Sequence, residues 1–240
     1  MKEAFRILEE GCRALGISLS DKQTARFAQY YDLLIEWNSF MNLTGITELS
    51  EVLRKHFVDS LALVKFMEPR KGCRILDVGT GAGFPGIPLK IAFPETEVVL
   101  LDSLNKRIKF LDNLIEKLEL SNTLTIHGRA EDFARDKEYR EAFDLVVSRA
   151  VANLALLAEY CVPYVKLGGY FVSYKSGDVD NEAKEGEKAV MAMGGRIEKI
   201  IPFTLPDSDI ERSLVVIRKT ESTPKRFPRK AGIPAKEPIK

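Results

Sequence analysis

With 240 residues, 45% of them hydrophobic and 30% charged, the chain can bury a substantial core as one large or two small domains, which excludes a disordered or low-complexity character. Thirty-six Lys and Arg against thirty-five Asp and Glu exclude a uniformly basic coat for nucleic acid. The balance hides a split, because Arg218 to Lys240 carries eight basic residues and two acidic ones, a net +6, while the remaining 217 residues carry a net −5.

Phe5, Leu8, Cys12 and Leu15 recur at helical steps, as do Phe27, Tyr30, Tyr31, Leu34 and Trp37, so two amphipathic helices open the chain. Ser20 followed by Gln23 fits a capping box, which starts the second helix near Asp21. After a polar break at Asn42 to Thr47, the residues Leu49, Leu53, Phe57, Leu61 and Val64 mark a third helix, ended by Pro69 and Gly72. From Cys73 the period changes. Short β-branched or Leu-rich runs alternate with helical stretches, the pattern of a parallel sheet covered by helices. Strands are expected at Arg74 to Val78, Glu97 to Asp102, Thr123 to His127, Phe143 to Ser148, Gly169 to Tyr174, Ile197 to Phe203 and Ser213 to Arg218. The loop from Leu205 to Ile210 is too short for a crossover helix, so the last two strands should pair antiparallel. The expected fold is α/β: a Rossmann-like, mostly parallel sheet with a C-terminal antiparallel hairpin, helices on both faces and an N-terminal helical extension. Three parts follow: a helical cap over 1–71, a ligand-binding domain over 72–218, and an extended, basic, Pro-rich tail over 219–240.

The densest signal runs from Ile75 to Phe84, where a buried strand leads into three alternating glycines, Gly79, Gly81 and Gly83, and then a helix start. Such glycines let the chain turn sharply and let a ligand approach without Cβ atoms in the way. About 20 residues further on, the second strand ends at Asp102, where a carboxylate can accept both hydroxyl protons of a ribose. Loop and carboxylate together specify a nucleoside. Gly81, Gly83 and Gly86 also match the dinucleotide fingerprint, so a NAD-dependent oxidoreductase is the alternative. A pyrophosphate needs free N–H groups at the helix N-terminus, yet Pro85 and Pro88 sit in that turn and Pro85 has none to give. Asp77 would repel phosphate, but it suits a ligand bearing an ammonium and a sulfonium, as S-adenosylmethionine does.

Asp77 to Gly83 resembles the D-x-G-x-G-x-G motif of class I S-adenosylmethionine-dependent methyltransferases. A narrower resemblance rests on Asn42-Leu43-Thr44, Lys55-His56-Phe57-Val58-Asp59-Ser60, Gly83-Phe84-Pro85-Gly86, Asp102-Ser103-Leu104-Asn105-Lys106-Arg107, Arg129-Ala130-Glu131, Ser148-Arg149-Ala150-Val151-Ala152 and Pro228-Arg229-Lys230. In order and spacing these are similar to the bacterial ribosomal RNA small subunit methyltransferase G family, also called glucose-inhibited division protein B. The likeness runs from Asn42 to the C-terminus. It implies methyl transfer from S-adenosylmethionine to N7 of a guanine in the 530 loop of 16S rRNA. It also implies that Gly79 and Phe84 line the cofactor, that Ala130 and Glu131 face its adenine, that Arg149 lies beside the methyl donor, and that Asp102 holds the ribose.

Guanine N7 carries a lone pair at neutral pH, so attack on a sulfonium methyl needs no deprotonation and hence no catalytic His or Cys; positioning should dominate. Positive charge moves onto the purine as the methyl is transferred. Arg149 beside that ring is therefore unfavourable unless a carboxylate or RNA phosphate engages it, and it is read as a cofactor-side or phosphate-holding group rather than a base. The target base must be unpaired or turned out, because the A-form major groove is too deep and narrow to be read. The basic tail, with Lys225, Arg226, Arg229 and Lys230, and Lys175 after the fifth strand are the expected grips on RNA phosphates. An RNA-binding assembly factor that kept the fold and lost turnover is a second alternative.

The remaining residues bound the setting. Cys12, Cys73 and Cys161 are odd in number and far apart, which fits a reducing compartment and small core roles. With His56 and His127 the only histidines, no Cys/His cluster has metal-ligand spacing, so no metal is expected. His56, on a helix three residues before Asp59, reads as a packed or hydrogen-bonded residue. The longest uncharged run, Val78 to Leu89, is twelve residues, short of the roughly 20 a membrane helix needs. Charges at Lys2, Glu3, Arg6, Glu9 and Glu10 leave no apolar stretch for a secretory signal, so a cytoplasmic location is expected.

Overall fold

A computed structural model describes residues 2–177 and 179–239, with side chains from Phe5 onward; Met1 and Lys240, the outer ends of the expected cap and tail, lie outside the described residues. The strands are β1 (Arg74–Val78), β2 (Glu97–Asp102), β3 (Thr123–His127), β4 (Phe143–Arg149), β5 (Val165–Lys175), β6 (Gly195–Thr204) and β7 (Glu211–Lys219), in the sheet order β3-β2-β1-β4-β5-β7-β6. The first five run parallel. β7 returns antiparallel between β5 and β6, the expected hairpin having inserted its second strand next to the parallel set.

Because side chains alternate across a strand, the apolar runs divide between two cores. Ile75, Val98, Leu100, Leu145 and Val172 face one, while Leu76, Val99, Leu101, Val146 and Phe171 face the other. The first core is covered by the N-terminal helices α1 (Lys2–Ala14) and α2 (Asp21–Met41) and by a helical run over 49–65, with Phe27, Tyr30, Leu34 and Phe57 fully buried there. Each such side chain contributes about 1.5 to 3 kcal/mol, so these helices form one core with the sheet. The α2 start is the capping box read from Ser20 and Gln23. That run over 49–65 begins as α3 (Leu49–Val52), widens into a π-helix at Leu53–Val58, resumes as α4 (Asp59–Leu61) and tightens to a 3-10 turn at Ala62–Lys65. Between strands lie α5 (Gly86–Ala92), α6 (Asn105–Lys117), α7 (Ala130–Phe133), α8 (Leu154–Cys161) and α9 (Val179–Ala192), the last two packing Leu157, Ala158, Ala183 and Val190 into the second core.

The C-terminal segment corrects the expectation of an extended tail. Lys219 is buried at the end of β7 and donates to the carbonyls of Val162 at 3.1 Å and Met193 at 3.0 Å. Phe227 joins the second core at 7% exposure, and a last turn, α10 (Ile233–Lys236), lies against α8. Proline removes the option of a strand ladder, so side chains join local backbone turns such as Phe227 N–H to the Pro224 carbonyl in satisfying the segment's backbone. Arg140 donates to the carbonyls of Thr223 at 2.7 Å and Phe227 at 2.9 Å, and Arg135 to that of Pro228 at 2.5 Å.

Candidate active site

The glycine turn lies at the C-terminal ends of β1 and β2, beside the reversal of strand order between β1 and β4, where open α/β sheets bind ligands. At Gly79 the residue choice is forced twice, by φ of 72° and because a Cβ there would lie 2.5 Å from Val151 Cγ2. The Leu101 carbonyl accepts the N–H groups of Gly79 at 2.8 Å and Thr80 at 3.2 Å, and the Thr80 carbonyl accepts those of Gly83 and Phe84, both at 2.9 Å. Gly81 donates to Asp102 Oδ2 at 2.9 Å and Gly86 to Asp77 Oδ2 at 2.8 Å. With these amides taken and Pro85 lacking one, the turn does not offer the row of free N–H groups that a diphosphate needs.

Asp77 is fully buried, and its Oδ2 also accepts the Thr80 hydroxyl at 2.7 Å. Its Oδ1 is buried without a hydrogen-bond partner among the described residues. Burial pushes this carboxyl up to about 7, against the opposing pull of the Thr80 and Gly86 bonds and of Arg149. A buried carboxylate oxygen lacking a donor is what a cationic ligand, directly or through a water, would satisfy. The residues present therefore fit a sulfonium and ammonium compound better than a diphosphate.

Asp102 ends β2 at 3% exposure, taking the Leu104 N–H on Oδ1 at 2.9 Å and Arg107 Nη1 on Oδ2 at 3.1 Å besides the Gly81 amide. It thus caps the turn into α6, and three of a carboxylate's four or so acceptor positions are occupied. Arg107 is the one side chain among the three donors. Across a cleft of about 110 Å³, Ala130 and Glu131 of α7 face Gly79, Asp102, Val151 and Tyr160. Tyr164 holds the Ala130 carbonyl at 2.6 Å, and the buried Glu131 accepts the N–H of Gly232 at 2.9 Å.

The segment after β4, with Ala150 in the left-handed region at φ 56°, lines both this cleft and a wider hollow of about 550 Å³. Lys55, His56, Asp59, Arg149, Lys175 and Arg212 line the hollow, so four cations share it with the carboxylates of Asp59 and Glu182. The π-helix presents Lys55 and His56 there, a widening often found at functional sites. Asp59 Oδ2 is 3.0 Å from Arg149 Nη1 and its Oδ1 is 3.6 Å from Arg212 Nε. Arg149 is thus engaged by a carboxylate, the condition set for it from sequence. Its guanidinium also stacks 5.0 Å from the Phe84 ring centroid, on which the His56 ring stacks at 4.5 Å. His56 Nε2 is 2.8 Å from Thr44 Oγ1, and burial, then Arg149, lowers its pKa to about 4, so the imidazole is neutral near pH 7.

The expected site residues divide among three places. Gly79, Asp102, Ala130 and Glu131 meet at the narrow cleft. Arg149 and Lys175 belong to the hollow, and Phe84, buried between Tyr30, His56 and Arg149, backs it. Lys225, Arg226 and Lys230 are exposed on the C-terminal segment. Two expected RNA grips are otherwise engaged: Arg229 Nη2 pairs at 2.7 Å with the buried Glu159, distant in sequence, and Lys175 Nζ at 2.6 Å with Glu182, on the helix that follows β5. His56, read as a packing residue, both packs and lines the hollow. Asp59 and Arg212 went unassigned. Asp59 lies inside a motif already singled out, whereas nothing local distinguishes Arg212.

A sequence profile described as rRNA small subunit methyltransferase G matches residues 23–213. The chain belongs to that family. It is 57% identical over 230 residues to a ribosomal RNA small subunit methyltransferase G from Lachnoclostridium phytofermentans, covering 96% of this chain and 95% of the relative. It is also 52% identical over 239 residues to the one from Desulforamulus reducens, covering the whole of both. Among solved structures, a SAM dependent methyltransferase from Aquifex aeolicus aligns with a TM-score of 0.52 at 16% identity, over 70% of this chain and 92% of that one. Aeropyrum pernix fibrillarin, crystallised with natively bound S-adenosyl-L-methionine, aligns with a TM-score of 0.51 at 16% identity, over 62% and 68%. The structural matches share the Rossmann-like methyltransferase fold, and family membership makes the chain a methyltransferase of small-subunit ribosomal RNA. Among the described residues no helix is long and apolar enough to cross a membrane.

Proposed function

We propose that the chain transfers a methyl group from S-adenosylmethionine to N7 of a guanine in the 530 loop of 16S rRNA. The observation that carries this reading is the adjacency of two unlike cavities: a glycine-edged cleft without a diphosphate cradle, and a cation-lined hollow reached across the Arg149 to Asn153 segment. When bound, S-adenosylmethionine supplies an electrophilic methyl on a sulfonium. Gly79 keeps the approach to the cleft free of a side chain, Asp77 supplies buried negative charge behind it, and Ala130 with Glu131 form the wall for a base. Asp102 would take ribose hydroxyls after yielding its Arg107 contact.

The hollow suits a guanine turned out of the RNA. His56, held neutral, adds no repulsion to a ring that becomes cationic, and Asp59 balances Arg149 and Arg212 beside it. No side chain need take a proton from N7, so the protein's contribution is orientation of donor and acceptor. Lys225, Arg226 and Lys230 would hold flanking phosphates, with binding that weakens as salt rises.

The test is incubation of small subunits lacking the modification with methyl-labelled donor. Label at guanine N7 of the 530 loop is the expected result, and label at another base or none in the rRNA overturns the assignment. Calorimetry with S-adenosylhomocysteine and with NAD separates the dinucleotide alternative, since binding of NAD alone would contradict the cofactor reading.

A further inference from the structure

We infer that residues 227–236 form a strap that presets the adenine wall of the cofactor cleft, with Arg229 and Gly232 as positioning residues. The inference rests on the cofactor reading above and moves Arg229 from RNA contact to the support of that site. Two buried carboxylates on adjacent helices carry it. Glu159, on α8 next to the cleft-lining Tyr160, is 1% exposed and receives the Arg229 backbone N–H at 2.6 Å, Nε at 3.0 Å and Nη2 at 2.7 Å. Glu131, in the cleft wall itself, is 2% exposed and receives the Gly232 N–H at 2.9 Å.

A buried carboxylate left without donors is costly, and a planar guanidinium answers one with two parallel bonds that also fix its direction. The strap therefore orients both acids. Gly232 presents its amide at φ 84°, a backbone shape in which a side chain is strained. Phe227, buried in the second core, and the Arg135 and Arg140 bonds to the carbonyls of Pro228 and Phe227 anchor the N-terminal end of the strap. Its exposed cations, such as Lys230, point to solvent and leave the wall unaffected. Without the strap, α7 and α8 would keep their core contacts, while Glu131 and Glu159, the latter beside the cleft-lining Tyr160, would lose the bonds that set the cleft's width.

The experiment compares Arg229→Ala, Arg229→Lys and Lys230→Ala in the full chain, reading the Kd of S-adenosylhomocysteine by calorimetry, thermal melting, and donor KM and kcat on small subunits. Arg229→Ala should weaken S-adenosylhomocysteine by about tenfold to a hundredfold and raise donor KM, with kcat at saturating donor retained, because misplaced walls cost binding geometry. Arg229→Lys, keeping the charge and the backbone N–H but not the fork, should recover part of the loss and guards against a merely unfolded Ala variant. Lys230→Ala should leave the S-adenosylhomocysteine Kd unchanged. Equal Kd in wild type and Arg229→Ala overturns the strap alone. A loss in Arg229→Ala matched by Lys230→Ala also overturns it, pointing to charge rather than support. Wild type that fails to bind S-adenosylhomocysteine overturns the cofactor reading and the strap together.

Discussion

The two ends of the chain serve opposite sides of one sheet edge. The N-terminal helices bring Lys55, His56 and Asp59 to the wide hollow and anchor the glycine turn through Tyr30, whose hydroxyl donates to the Ala82 carbonyl at 2.5 Å. The C-terminal segment brings Gly232 and Arg229 to the acids behind the narrow cleft. One end joins the core by continuous burial of aromatic rings. The other joins largely through hydrogen bonds and ion pairs to buried carboxylates. The contrast teaches that one sheet can be flanked by two kinds of packing: apolar helices bury aromatic rings against one face, and a polar C-terminal segment answers buried carboxylates on the other.

The largest break should come at Gly79. Gly79→Leu forces a side chain into Val151 and a strained φ, which costs about 1 to 2 kcal/mol in the fold and should weaken S-adenosylhomocysteine by about 100-fold or more. Calorimetry beside a melting curve checks it, and unchanged affinity would move the ligand off the turn. Asp59→Asn acts on the other cavity. Removing the carboxylate leaves Arg149, 12% exposed, without its countercharge, so a stability loss of about 3 kcal/mol and loss of RNA methylation are expected. Affinity for S-adenosylhomocysteine should change less than about threefold, well under 1 kcal/mol. Weakened cofactor analogue binding in a folded Asp59→Asn protein would erase the distinction between the two cavities.

The pH dependence sharpens the same contrast. His56 binds its proton in the unfolded chain near 6.5 but in the fold only near 4. The unfolded state therefore takes up more protons in that window, and this residue's contribution to stability falls as pH drops from 6.5 to 4, by up to about 3 kcal/mol. Asp77 opposes it: raised to about 7 from 3.8, it favours the fold most at low pH and loses that favour as pH rises through the window. Urea unfolding from pH 4.5 to 7 should thus show His56→Asn less acid-sensitive than wild type, while parallel curves would contradict a neutral buried imidazole. Smallest is the surface effect. Lys225→Ala with Arg226→Ala should lower RNA affinity and flatten its salt dependence by about 0.7 to 0.9 in slope per lost phosphate contact, with the cofactor side untouched; an unaltered slope would remove these two from the RNA surface.

Much of this architecture was legible in one dimension. All seven strands fall on the β-branched or Leu-rich runs, with Arg74–Val78, Glu97–Asp102 and Thr123–His127 matching end to end; the first two do so because a parallel strand buried on both faces leaves an apolar signature, whereas Thr123–His127 is a largely exposed edge strand. The capping box at Ser20 was readable for a similar reason, since its partners are three residues apart. The π-helix was not. Its hydrophobic spacing, Leu49, Leu53, Phe57, Leu61, matches a plain α-helix, and the widening shows only in the backbone.

Local chemistry along the chain was sufficient for the sheet, the glycine turn and the carboxylate that ends the second strand, since each depends on neighbours within a few residues or on strand period. The partners of charged groups were another matter. Arg229 meets Glu159 across 70 residues, Arg149 meets Asp59 across 90, and Gly232 meets Glu131 across 101. A count of charges reports that cations are present but not which carboxylate the folded chain brings to each. That pairing is set by packing, because burying an acid requires a donor at a fixed point in space wherever along the chain it originates.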